Sequence, residues 1–489
     1  MKLSQLMEGI EYTLLEGDLS TDVSEVCYDS RQVVPGALFV CMNGLITDGH
    51  QYVQEALDKG ATAVIAEKKV VLKEGIVLLL CSNSRKILPR LAANFYARPS
   101  DQIRLVGVTG TNGKTTTTHL ILEILRATDK KAAILGTLYG KYQDLNFDFG
   151  HTTPESVEIE ALLAAVCERD GEYMVMEVSS HALVQERVQQ LRFSSAVFTN
   201  LTQDHLDYHA TMEQYAEAKS KLFAQVEAGA DTFVIINRDD AWAEYFMEHS
   251  RARMISYGLH ENADLWATKV KLGLEGSSFR VHYQGQKYDF AIPLIGQFSV
   301  YNALAAIAWG VGEGIAMDKI RKALEAVEGV AGRFEQVKAG QEFAVVVDYA
   351  HTPDGLENIL KTARELTGGR LITIFGCGGD RDRGKRPLMG EIAARYSDFC
   401  IVTSDNPRTE DPEAIIDEIL PGVRRVEAVH YAKIVDRRDA IHHGLAMARA
   451  GDMVVIAGKG HENYQLVGNQ VLDFDDRLVA REIMKGMLI

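Results

Sequence analysis

The sequence predicts an α/β protein of three domains: a small N-terminal α/β domain (1–99), a central parallel-sheet domain built on a phosphate-binding loop (100–333) and a C-terminal Rossmann-like domain (334–489). Two observations carry this expectation. Short apolar runs alternate with helical patterns through most of the chain, as parallel strands covered on both faces require. The 489 residues also exceed what one core organises, since a domain takes about 100–200 residues.

The first block mixes the apolar runs Ala37–Cys41, Ala63–Ala66 and Ile76–Cys81 with turn signals at Asn43-Gly44 and Asp48-Gly49. It ends on a helical stretch, Ser84–Ala97, stopped by Pro99. The second block opens with a strand over Ile103–Thr109 that runs into a glycine loop and a helix over Thr115–Ala127. Further strands are predicted at Tyr173–Val178, Ser195–Thr199 and Thr232–Ile236, and the block closes near Gly332-Arg333. The third block repeats the alternation, with strands over Phe343–Val347, Leu371–Phe375, Phe399–Thr403 and Met453–Ala457 and helices over Leu356–Leu366 and Pro387–Tyr396. Ligands of such sheets bind at the carboxyl ends of the strands. The unusual polar motifs of this chain follow strand after strand.

Composition narrows the function. The net charge is −16, from 68 acidic and 52 basic residues, which argues against a general nucleic-acid binder. A small anionic ligand remains compatible, held by local backbone N–H groups and a few cations. Cys27, Cys41, Cys81, Cys167, Cys377 and Cys400 form no C-x-x-C pair and no zinc-like spacing, so they read as free thiols in a reducing compartment. No leader pattern opens the chain and no apolar run reaches the ~18 residues of a membrane span. A cytoplasmic protein, monomeric, is expected.

Gly110-Thr111-Asn112-Gly113-Lys114-Thr115-Thr116 forms a phosphate-binding loop. Gly110 and Gly113 let the backbone curl around an anion, the helix N-terminus aims its N–H groups at it, Lys114 reaches the phosphates, and the Thr115 hydroxyl can ligate Mg²⁺. The loop departs from the general G-x-x-x-x-G-K-[ST] pattern at Val108. ATP is therefore the expected co-substrate. Glu177 ends a strand and is well placed for Mg²⁺, and a dense polar segment, Asn200–His209, ends the next. A lone His205 reads more readily as structural than as a ligand. Glu217–Phe223 reads as an ordinary amphipathic helix, which makes Lys219 a surface lysine.

Taken together, these motifs resemble those of the Mur ligases, the amide-forming synthetases of peptidoglycan precursor assembly. The resemblance covers the whole chain and rests on the loop, Glu177, Asn200–His209, Ala218-Lys219, Tyr301-Asn302-Ala303-Leu304, Gly332-Arg333-Phe334-Glu335 and Asp348-Tyr349-Ala350-His351-Thr352-Pro353. It implies that Lys114 binds ATP phosphates and that Thr115, Glu177, His205 and a carbamylated Lys219 serve Mg²⁺. It also implies that Asn302 and Arg333 contact the nucleotide and that Asp348 and His351 line the junction with the third domain. The implied chemistry is phosphorylation of a carboxylate, then attack of an amine on the acyl phosphate. No nucleophilic Ser or Cys constellation is needed, and none is found.

Within the family, Asp29–Val40 and Asp48-Gly49-His50 resemble a domain that binds UDP-linked sugars, with Ser30 at the uridine diphosphate. His151–Glu155 resembles the substrate loop of the members that add the third peptide residue, which implies that Thr152, Thr153, Ser179, Gln185 and Arg187 bind UDP-N-acetylmuramoyl-L-alanyl-D-glutamate. The amine partner is read from Asp405-Asn406-Pro407-Arg408, with Arg381 and with Gly458 and Glu462 of Gly458–Glu462. A guanidinium grips a carboxylate bidentately. Arg408 and Arg381 therefore suit the extra carboxylate of meso-2,6-diaminopimelate, and Glu462 suits its distal ammonium. The alternatives are a lysine-adding relative, a folylpolyglutamate synthase-like ligase, a non-enzymatic nucleotide-binding regulator and a dinucleotide-binding oxidoreductase. The last rests on Gly376-x-Gly378-Gly379, which completes no G-x-G-x-x-G.

Overall fold

The computed structural model describes residues 1–44, 47–147, 149–427 and 429–487. Three sheets follow one another along the chain, each with its own packed core. The first runs Thr13–Glu16, Val77–Leu80, Ala63–Ala66, Leu38–Val40, Val26–Cys27, parallel except for the edge strand Thr13–Glu16. The third runs Glu335–Gln336, Ala344–Asp348, Met453–Ala457, Leu371–Phe375, Phe399–Val402, His430–Lys433, parallel beyond its first pair. All six cysteines are free.

The central sheet has eleven strands, and Arg104–Thr109 lies in its middle, paired in parallel with Tyr173–Glu177 and Phe193–Phe198. Gly110 and the helix Lys114–Arg126 follow directly, so the loop opens at the carboxyl edge of a strand buried on both sides. The helix Gln297–Gly312 packs across the sheet through Val300, Leu304 and Trp309, and Trp309 Nε1 donates to Ser195 Oγ at 3.0 Å. The sheet is parallel only in its centre. Leu265–Gly273, Gly276–Tyr283 and Gln286–Ile292 form an antiparallel meander at one edge, and Gly140–Tyr142 with Leu145–Phe147 a hairpin at the other. The mostly parallel sheet expected from the sequence thus carries antiparallel strands at both edges. Two-residue alternation and turn glycines mark these strands, as at Leu265–Thr268, whose side chains alternate buried and half-buried.

The third sheet's domain sits on the phosphate loop. Asn112 Nδ2 donates to Asp354 Oδ2 at 2.6 Å, from the loop to the first turn of the helix Pro353–Leu366. Phe298 of the central domain packs with Phe334 and Ile295 beneath the same junction. Asp354 is largely buried, and burial pushes its carboxyl up against hydrogen bonds from Thr202 and Asn112. A hydrogen bond to a charged group contributes about 1.5–3 kcal/mol. Asp354→Ala should therefore loosen the junction: small-angle scattering of the nucleotide-free protein should give a larger radius of gyration, with an unchanged far-UV spectrum.

Candidate active site at the domain junction

The phosphate loop is held open by its neighbours. Gly113 caps the helix with φ +84°, and a Cβ there would collide with Asn302 Oδ1. Thr111 N donates to Asn200 O at 2.8 Å and Asn112 N to Asn200 Oδ1 at 2.9 Å, so the Asn200–His209 segment braces the loop from the adjacent strand end. Thr116 and Asn302 are both buried behind it.

Two lysines converge on one carbonyl. Lys114 Nζ donates to Gly110 O at 2.9 Å and Thr111 O at 2.8 Å, and Lys219 Nζ donates to the same Gly110 O at 2.8 Å. Lys219 is 1% exposed, which overturns the expectation of a surface lysine. The helix Met212–Ala224 is amphipathic, but Lys219 lies on its buried face with Tyr215, Ala216, Leu222 and Phe223. Burial, then the charge of Lys114, pushes the Lys219 ammonium well below its ordinary range, while Asp204 opposes the shift. Tyr215, one turn earlier, was not singled out by its sequence context. Its ring lies 4.6 Å from Lys219 Nζ and its hydroxyl 3.3 Å from Thr111 Oγ1. The i,i+4 spacing is the signal that could have found it.

Glu177, 1% exposed, accepts from Thr115 Oγ1 at 2.9 Å, from Thr137 N at 2.9 Å and from Thr137 Oγ1 at 3.0 Å. Thr115 and Glu177 are thus brought together. The ring of His205 pairs with Asp204 at 3.3 Å and meets His181 edge-on at 4.9 Å, and the charges of Lys219 and Lys114 reach it. Among the described residues no group of three or more His, Cys, Asp or Glu side chains assembles as a metal cage.

At the boundary between the central and third domains, Arg333 Nη2 donates to Thr115 Oγ1 at 2.9 Å, and its guanidinium lies 4.6 Å from the ring centroid of Tyr349 in the third domain. Tyr349 in turn packs on His351 at 4.6 Å and His461 at 4.9 Å. Burial and the nearby Lys385 push His351 down to about 4, so it is a neutral imidazole at pH 7. Asp348, buried, accepts from Phe334 N and Ala350 N, and burial raises its carboxyl.

Thr153 Oγ1 accepts from Ser179 N and donates to Glu177 O, while Arg187 donates to Thr153 O at 2.7 Å and to Gln185 Oε1 at 2.7 Å. Thr152 Oγ1 lies 3.1 Å from Thr137 Oγ1. Arg187 also pairs with Glu155 at 3.0 Å, and Arg85 of the first domain reaches the same carboxylate at 3.2 Å. Gln185 and Arg187 are therefore parts of a web at the first junction rather than a solvated helix face. Ser30 lies further into the first domain, buried, with Oγ on Glu55 Oε2 at 3.0 Å.

On the third sheet, the loops after four neighbouring parallel strands meet. Arg408 Nη1 donates to Gly379 O at 2.9 Å, Asn406 Nδ2 to Glu462 Oε2 at 2.8 Å, and the Asp405 carboxylate lies against Gly458. The hairpin Tyr464–Val467 with Gln470–Asp473 fastens this cluster: Leu466 O accepts from Arg408 N and Leu466 N donates to Asn406 Oδ1. Burial, then Arg408, lowers the pKa of Arg381. Among the described residues no carboxylate lies within ion-pairing distance of Arg381 or Arg408, although the acidic chain supplies such partners to most of its other arginines.

Such a fold and site define a phosphate-loop enzyme whose third domain closes over the loop. Family models match along the chain: the Mur ligase family catalytic domain over residues 22–96, the Mur ligase middle domain over 108–310 and the Mur ligase glutamate ligase domain over 332–460. A UDP-N-acetylmuramoyl-L-alanyl-D-glutamate–2,6-diaminopimelate ligase of Syntrophomonas wolfei is 55% identical over 99% of both chains. A ligase of the same description from Listeria monocytogenes is 45% identical over 98% of both. A solved structure of such a ligase is 32% identical, with a TM-score of 0.69, over 100% of this chain and 99% of its own. The chain belongs to the Mur ligase family, and is an ATP-dependent amide ligase.

Gly113→Ala places a side chain at positive φ and against Asn302, a strain of about 1–2 kcal/mol before the collision is counted. Isothermal titration should show ATP affinity reduced roughly tenfold or more, with the helical content retained.

Proposed function

We propose that the protein joins meso-2,6-diaminopimelate to the D-glutamate of UDP-N-acetylmuramoyl-L-alanyl-D-glutamate, forming ADP and phosphate, in peptidoglycan precursor synthesis in the cytoplasm. The relatives of that description support it over the full chain. The observation that carries it is the Arg333–Tyr349–His461 stack, which joins Thr115 of the phosphate loop to the Gly458–Glu462 loop of the third domain. A nucleotide site and an amine site in such contact suit a reaction in which a phosphorylated carboxylate must meet its amine before water does.

In this reading the labour divides at residues 1–99, 100–333 and 334–489. Ser30 contacts the uridine diphosphate, while Thr152, Thr153, Ser179, Gln185 and Arg187 orient the dipeptide, its terminal carboxylate near Glu177. Gly110–Thr116, Asn302 and Arg333 hold the nucleotide, and Asp348 and His351 shape the junction above it. A carboxylate oxygen attacks the γ-phosphorus and ADP leaves. The amine nitrogen then attacks the acyl carbon, and phosphate departs with that oxygen. Lys114 and Arg333 stabilise the negative charge that grows on the phosphoryl oxygens. The paired oxygens of Thr115 and Glu177 are the hard donors that Mg²⁺ takes alongside phosphates. Thr115, Glu177, His205 and a carbamylated Lys219 would hold it, and it supplies charge neutralisation at the transferring phosphoryl group. The fit at Lys219 is chemical: only a neutral amine captures CO₂, and burial beside Lys114 favours that form.

Arg381 and Arg408, unpaired and side by side, suit the distal carboxylate that distinguishes diaminopimelate from L-lysine. Phosphate release should require both the UDP-muramoyl dipeptide and diaminopimelate, and L-lysine should substitute poorly. Arg408→Ala should lower kcat/KM for diaminopimelate by about 2–5 kcal/mol in transition-state free energy, with ATP binding retained. Equal turnover of the two amino acids by the wild type would sink this assignment. Lys219→Ala should nearly abolish ligation, and millimolar formate or acetate should restore part of it. A fully active Lys219→Ala enzyme would remove the carbamate from the reading.

A further inference from the structure

Lys459 has no part in the roles above, yet its side chain is fully buried at the centre of the third-domain loop cluster. Its Nζ lies 3.0 Å from Glu462 Oε2 and 3.1 Å from Asn406 Oδ1, and Asn406 Nδ2 donates to the same Glu462 oxygen at 2.8 Å. The three side chains close a triangle. Leu466 N, at 3.0 Å from Asn406 Oδ1, fixes which end of the amide faces the lysine. Both hydrogen bonds to Glu462 use Oε2, so among the described residues Oε1 carries none.

We infer that Lys459 is a positioning residue that anchors Glu462 by one oxygen and aims the other at the incoming amino acid, and that it thereby sets the preference for an acceptor bearing a distal carboxylate beside its ammonium over one bearing the ammonium alone. This rests on the reading of Arg381, Arg408 and Glu462 as the acceptor site. The charges give the reason. Glu462 shares its loop cluster with two guanidiniums that have no carboxylate partner. While Lys459 offsets the Glu462 charge and holds it in place, those guanidiniums stay available to a carboxylate of the ligand. Without Lys459, Glu462 keeps only the Asn406 amide on that oxygen and becomes a looser, less compensated anion in the same loop cluster. It competes for the guanidiniums and repels a ligand carboxylate, but still attracts a bare ammonium.

The test compares kcat/KM for meso-diaminopimelate and for L-lysine in the wild type, K459M, E462Q and the double variant. K459M should lose about tenfold or more with diaminopimelate, mainly through KM, while the KM for ATP stays and the diaminopimelate-to-lysine ratio falls. The double variant should be no worse than E462Q alone, because Lys459 acts through Glu462. It removes both members of the buried pair, so it decides the question should K459M fail to fold. An unchanged ratio in K459M, or additive losses in the double variant, would overturn the inference. A wild type that does not use diaminopimelate would instead overturn the reading beneath it.

Discussion

The carbonyl of Gly110 receives two lysines, Lys219 buried and Lys114 half-buried, and much of the site follows from that. Each ammonium is taken from water and offered backbone oxygens, with Glu177 and Asp204 contributing only across space to Lys114. Desolvated positive charge with so little direct compensation favours whatever anion can enter or form there. In the proposed reading that anion is a phosphate for Lys114, whereas Lys219 sheds its proton and, as a neutral amine, takes up CO₂ to carry an anionic carbamate. The close approach also explains the glycine: a Cβ at position 110 would run into Thr199, the residue that ties the loop to the neighbouring strand.

Arg333 and the third domain that follows it answer the same charge from above. Arg333 reaches Thr115, Asp354 reaches Asn112, and the Tyr349 ring lies between Arg333 and His461. Because its parallel strands all point their carboxyl ends one way, the loops after Asp348, Phe375, Val402 and Ala457 meet on one sheet edge. Among the described residues that edge holds two guanidiniums without a carboxylate partner, Glu462 anchored by Lys459, and the buried Asp405, and in the proposed reading it takes a zwitterionic ligand.

Much of this was legible in the sequence, for identifiable reasons. The strands Leu371–Phe375 and Met453–Ala457 are fully buried apolar runs, and their bounds in the fold match those read from the chain. A strand running into glycines, a lysine and a helix marked the phosphate loop, whereas the loops at Arg381, Arg408 and Glu462 stood out through the family resemblance and their places after predicted strands. The failures also have physical causes. Lys219 was misread because helical periodicity shows that one face is buried but prices a lysine as exposed. A buried lysine depends on a carbonyl at Gly110, more than a hundred residues away. Tyr215, Asp354 and Lys459 act through partners that only the fold brings near. The antiparallel edges of the central sheet present no continuous apolar run, because edge strands alternate buried and half-buried residues.

Activation of a substrate carboxylate by phosphorylation at the Gly110–Thr116 loop, followed by its surrender to an amine held by the third domain, is tested directly by oxygen transfer. With ¹⁸O in the terminal carboxylate of the UDP-muramoyl dipeptide, each turnover should deliver one labelled oxygen to inorganic phosphate, read by mass spectrometry or by the isotope shift in ³¹P spectra. Phosphate released without label, at the rate of amide formation, would contradict the account.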